Sequence, residues 1–126
     1  MECLSLAQKT QFEELGYLLV ENQIAPGWLQ KIRDEITRFE LEAATMTASN
    51  ERLDLEDSHS ADDPRLRRIK LPHTFSDVMR ELMYSDHVLA PARDLIGPNL
   101  RLHPTKLNMK TAGYGAEGEW HQDYAC

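Results

Sequence analysis

The chain has 126 residues, and 14 Lys plus Arg against 21 Asp plus Glu leave a formal net charge of −7. That balance argues against a general binder of the nucleic-acid backbone, which needs a basic face. No apolar run approaches the roughly 18 residues of a membrane-spanning helix, and the opening MECLSLAQKTQFEELG lacks the basic start and apolar stretch of a signal peptide. The length suits one domain with a modest core. The two cysteines, Cys3 and Cys126, lie at opposite ends, so no disulfide framework is visible and a reducing cytoplasm is the expected setting.

Ser5 and Gln8 have capping-box spacing and Gly16 is a natural stop, which predicts a short helix over residues 6–15. Tyr17, Leu18, Leu19 and Val20 then read as a brief strand. Pro26 suits the start of a second helix, along which Trp28, Leu29, Ile32, Ile36, Phe39 and Ala43 recur at helical spacing, a stripe explained by core packing. Residues 47–63 have no period and carry six carboxylates against one arginine, the pattern of a solvated loop. The sign then flips at Arg65, Arg67, Arg68 and Lys70, a basic patch suited either to the acidic loop or to a small carboxylate or phosphate. Thr74 is expected to cap a helix carrying Phe75, Val78, Met79 and Leu82. Ser85 is expected to cap the next, which runs through Val88, Leu89, Ala92, Leu95 and Ile96 to Gly97-Pro98, with Pro91 as a kink or early stop.

The last third changes character. Residues 100–110 read as an extended strand with Lys106, Asn108 and Lys110 on one face and Thr105, Leu107 and Met109 on the other. Gly113, Gly115 and Gly118 form no phosphate-cradling pattern and suit a hairpin loop. In Glu119-Trp120-His121-Gln122-Asp123-Tyr124, strand spacing puts His121 and Asp123 on one side, where an imidazole and a carboxylate can supply two ligands of a non-heme ferrous site. By itself the pair carries little weight: with five histidines and 21 carboxylates, about 0.8 such pairs arise by chance, and a strand-end histidine satisfied by its neighbour is the plainer explanation.

The order QFEELGYLLVEN, APGWLQKIRDEI, RLRRIKLPH, DLIGPNLRLHPTKLNMK and EWHQDYA resembles the phytanoyl-CoA dioxygenase family from about Gln11 to Tyr124, most specifically at GPN (97–99), TKLNMK and WHQD. The resemblance implies an iron- and 2-oxoglutarate-dependent oxygenase of α+β fold. Amino-terminal helices (about 1–98) would precede the first strands (about 99–126) of an incomplete double-stranded β-helix, or jelly roll, in a single partial domain. It implies His121 and Asp123 as Fe(II) ligands, and Asn108, Lys106 and Lys70 as residues holding 2-oxoglutarate. The partners it implies are dioxygen and a small organic substrate to be hydroxylated. Asp123 itself favours hydroxylation, since halogenating members seat chloride in its place. Family members continue past WHQD into a second metal histidine and an arginine for the 2-oxoglutarate tail. The chain therefore reads as an amino-terminal part, expected to be inactive alone. A non-enzymatic metal- or partner-binding module is the alternative, and a helical domain in which HQD means nothing is a weaker third.

Overall fold

The computed structural model describes residues 3–122. In chain order they form α1 (Leu6–Leu15), α2 (Pro26–Ala44), β1 (Leu53–Leu55), β2 (Leu66–Lys70), a 3₁₀ turn (Pro72–Thr74), α3 (Asp77–Met83), α4 (Asp86–Ile96) and β3 (Lys106–Asn108). No helix among the described residues is long and apolar enough to cross a membrane. They fall into two compact units. One comprises residues up to Arg38 together with Leu71–Thr105; the other comprises Phe39–Lys70 together with residues from Lys106 on.

In the first unit, Ser5 opens α1 with a reciprocal cap. Its hydroxyl accepts from the Gln8 N–H, and its own N–H donates to Gln8 Oε1 at 2.9 Å. Gly16 closes the helix at φ 77°, a left-handed conformation that other residues adopt at a cost. The Asp94 carboxylate of α4 accepts the N–H groups of Cys3 (2.6 Å) and Leu4 (2.8 Å), and Leu4 is buried. Tyr17–Val20 belongs to no ladder. The segment alternates, with Leu18 and Val20 half-buried and Tyr17 and Leu19 exposed, but an apolar run has β-propensity without supplying a partner strand.

The cap of α3 is Ser76 rather than Thr74. Ser76 Oγ accepts from the Met79 N–H (3.2 Å) while its hydroxyl donates to Glu35 (2.5 Å). Thr74 lies in the 3₁₀ turn and donates to the Leu71 carbonyl. Ser85 stands at the start of α4, but its hydroxyl points back to the Leu82 carbonyl (2.7 Å) instead of capping. Helix α4 runs through Pro91 to Gly97 without stopping. A proline deprives the carbonyl four residues earlier of its N–H. That carbonyl belongs to His87, and it accepts from Gln23 Nε2 at 2.9 Å; the His87 Nδ1–H in turn donates to the Gln23 carbonyl at 3.1 Å.

The second unit is built on an antiparallel sheet of order β1-β2-β3. Residues 47–63 are therefore not all loop. Leu53 and Leu55 alternate around Asp54 and are buried with Phe39, Ala43, Leu66 and Ile69 to form the core. Leu53 faces Ile69 and Asp54 faces Arg68, but Leu55 faces Leu66, so β2 holds one extra residue, Arg67, in a β-bulge. The bulge is why Leu66 and Ile69, three apart, can both be buried where strict alternation would bury every second residue. The acidic and basic stretches pair as one sequence reading allows: Asp54 Oδ1 lies 2.7 Å from Lys70 Nζ, and Arg65 pairs with Asp63. His59 braces the turn between β1 and β2. Its Nδ1 accepts from the Arg65 N–H (2.9 Å), so its Nε2–H donates to the Met46 carbonyl (2.8 Å). Of the expected 100–110 strand, only Lys106–Asn108 forms a ladder.

Candidate metal and anion site

β3 pairs with β2 in a register that sets Asn108 against Arg68, Leu107 against Ile69 and Lys106 against Lys70. Leu107 is turned inward, whereas Lys106 and Asn108 lie on the exposed side, as their alternation predicts. Arg68 Nε–H donates to Asn108 Oδ1 at 3.2 Å, which fixes the amide with its NH₂ end as the donor for a ligand oxygen.

Beyond β3 the chain is folded back by short-range bonds. The Gly115 N–H donates to the Thr111 carbonyl at 2.9 Å, and Lys110 Nζ donates to the Ala116 carbonyl at 2.5 Å. A Cβ on Gly115 would stand 2.9 Å from both the backbone nitrogen and oxygen of Thr111, so only glycine fits this turn. The Ala116 N–H donates to the buried Glu56 carboxylate (3.3 Å), and the Arg65 guanidinium stacks on Tyr114 at 4.2 Å. The glycine-rich segment thus ends beside the sheet rather than as a plain hairpin loop.

The result is a pocket of about 120 Å³ lined by Arg67, Arg68, Lys106, Asn108, Lys110 and His121, with Glu117 as its one carboxylate among the described residues. The structure therefore brings three of the sequence candidates together: Lys106, Asn108 and His121. Lys70 shares the sheet face but does not line the pocket; its ammonium is held by Asp54 and by the Asn50 carbonyl at 2.8 Å. Asp123 lies outside the described residues. The sequence offers Arg67 and Arg68 as part of a basic patch open to a small anion without joining them to Lys106, Asn108 and His121, and it does not single out Lys110. RLRRIK is the available signal, but alternation alone sends Arg67 and Arg68 to opposite faces.

The donor chemistry fits a ferrous center with 2-oxoglutarate. His121 Nδ1 lies 2.6 Å from the Glu119 carbonyl, which can only accept, so the neutral ring carries its lone pair on Nε2. A ligand histidine is commonly oriented in this way, with the outer N–H given to a carbonyl. The cations of the pocket suit a dicarboxylate. Among the described residues no three His, Cys, Asp or Glu side chains meet as a complete metal cage.

Comparison with known proteins adds the lineage. The chain is 30% identical over 118 residues to a probable alpha-ketoglutarate-dependent hypophosphite dioxygenase of Stutzerimonas stutzeri, covering 94% of this chain and 41% of that protein. It is 24% identical over 117 residues to an ectoine dioxygenase of Nocardia farcinica, covering 93% of this chain and 37% of that one. The crystal structure of EctD from S. alaskensis with bound Fe shares the fold, with a TM-score of 0.81 at 23% identity over 98% of this chain and 42% of that one. The chain thus spans about two fifths of the length of the relatives it matches. Residues 12–126 match the family described as Phytanoyl-CoA dioxygenase (PhyH), and the protein belongs to that family of dioxygenases.

Proposed function

We propose that this chain supplies the first part of the active site of an Fe(II)- and 2-oxoglutarate-dependent oxygenase that hydroxylates a small molecule, within a double-stranded β-helix. The observation that carries the reading is the meeting of His121, Lys106 and Asn108 in one pocket, with the His121 tautomer suited to metal ligation. The named relatives act on hypophosphite and ectoine, small polar molecules, and a charged pocket is in keeping with that class.

When bound, the iron and 2-oxoglutarate supply the means to activate dioxygen and oxidise a C–H or comparable bond. His121 would bind the metal through Nε2, with the Glu119 carbonyl holding the ring in place; Asp123, two residues on, is assigned as a second ligand. Asn108 would offer its NH₂ and Lys106 its ammonium to 2-oxoglutarate. Lys70 can join them only by exchanging its bond to Asp54 for one to the co-substrate.

Anaerobic titration tests the assignment. His121→Ala should lose Fe(II) binding, because a lone-pair donor is removed from the metal. Asn108→Ala and Lys106→Ala should each weaken 2-oxoglutarate binding by roughly tenfold or more, since a hydrogen bond to a charged ligand contributes about 1.5–3 kcal/mol. Unchanged 2-oxoglutarate affinity in both variants would move the co-substrate elsewhere, and normal iron binding by His121→Ala would remove the histidine from the metal.

A further inference from the structure

The lining of the pocket carries more positive charge than the metal and 2-oxoglutarate call for. Among the described residues, four cationic side chains face one carboxylate, in a chain whose overall charge is −7. Two of the four are already engaged: Lys110 by the Ala116 carbonyl, and Arg68 by Asn108 and, at 3.8 Å, by Asp54. Arg67 and Lys106 make no ion pair or side-chain hydrogen bond among the described residues. A half-buried guanidinium without a counterion is unusual in a protein this rich in carboxylates, because partial desolvation penalises an unpaired charge.

The bulge explains how Arg67 comes to be there. Leu66 and Ile69 turn into the core, and the two residues between them, both arginines, are kept out of it. Bulges recur beside functional sites because they re-aim a side chain in this manner. Iron(II), one carboxylate ligand and dianionic 2-oxoglutarate together leave a single negative charge, short of what the pocket cations balance.

The geometry points to an oxyanion-binding corner centered on Arg67, which selects a primary substrate bearing a small negatively charged group, a carboxylate or a phosphorus oxyanion. This rests on reading the pocket as the oxygenase site. Arg67 would grip two oxygens at once through its planar fork, with Lys106 adding a point charge at the shared edge. The same chemistry would attract a carboxylate of 2-oxoglutarate, so the two sources must be separated by experiment.

Calorimetric titration of the iron-free protein with inorganic phosphate, with acetate and with 2-oxoglutarate does so, using wild type, Arg67→Gln and Arg67→Lys. Phosphate or acetate should bind saturably to wild type and roughly tenfold more weakly to Arg67→Gln. Arg67→Lys should recover part of the loss, because it restores charge without the fork. The affinity for 2-oxoglutarate should stay close to wild type in both variants. Equal loss of 2-oxoglutarate binding would give Arg67 to the co-substrate and overturn the proposal, as would the absence of saturable anion binding to wild type. Circular dichroism verifies that Arg67→Gln is folded; if it is not, the comparison of Arg67→Lys with wild type decides between the same outcomes. Because these titrations contain no iron, a failure of His121 to bind metal would sink the oxygenase reading while leaving the anion result to stand or fall separately.

Discussion

Glu35 shows how much of the first unit hangs on single side chains. Arg38 donates to it at 2.6 and 3.0 Å and holds its carboxyl below the ordinary carboxylate value. Burial pushes the other way, and the Ser76 hydroxyl adds a further lowering bond. A carboxylate whose folded pKa is depressed contributes its full stability above its unfolded value, near 4.5, and loses it as pH falls through the folded value. Asp94 acts in the same direction, chiefly through the Leu4 N–H. Urea unfolding should therefore show lower stability at pH 3 than at pH 7. Glu35→Gln should cost about 1–2 kcal/mol at neutral pH and flatten part of the acid dependence. An acid slope unchanged in that variant would assign the effect to other carboxylates. The sequence leaves this network hidden, because Ser76 and Thr74 both suit an N-cap. Only the register of α3 decides that Ser76 reaches Met79 and Glu35. His121, by contrast, stands out through the family resemblance of its motif, while the ring orientation that suits it to the proposed metal role depends on the backbone at Glu119.

At the scale of elements, the helices are legible because their period, caps and stops agree: Ser5, Gly16, Pro26 and Gly97 all stand where α1, α2 and α4 begin or end. The sheet is largely hidden. β1 has three residues, too few for a period to emerge, and lies in a stretch where carboxylates dominate. The bulge breaks the alternation of β2, so that LRRIK has no regular strand pattern. Deleting Arg67 restores strict alternation, with Leu66 and Ile69 still inward and Arg68 still outward. The deletion variant should keep its β-sheet circular dichroism and cooperative melting yet lose the anion binding attributed to Arg67. Collapse of the fold would show that the bulge is needed for packing rather than for aiming a side chain. Ile69→Ala marks the opposite case: a side chain with no exposed surface, whose truncation should cost about 2–5 kcal/mol in chemical denaturation.

For the molecule as a whole, net charge conceals local charge. The value of −7 argues against binding a nucleic-acid backbone, yet it gives no hint that arginines and lysines converge on one pocket. If anion capture depends on them, raising the ionic strength should weaken phosphate binding to wild type markedly, and to Arg67→Gln much less. Equal salt dependence in the two proteins would point to diffuse attraction instead.

The discontinuity of the second unit has a consequence in time. β2 ends at Lys70 and its partner β3 starts at Lys106, with a segment of the other unit between them. At synthesis rates of about 5–20 residues per second, the β1–β2 hairpin waits roughly two to seven seconds before β3 is made. Throughout that interval one edge of β2 is open to any passing strand. The two arginines of β2, which later face the pocket, then serve with Lys70 as a charged guard along that edge, discouraging a nascent chain from pairing with its neighbours on the polysome.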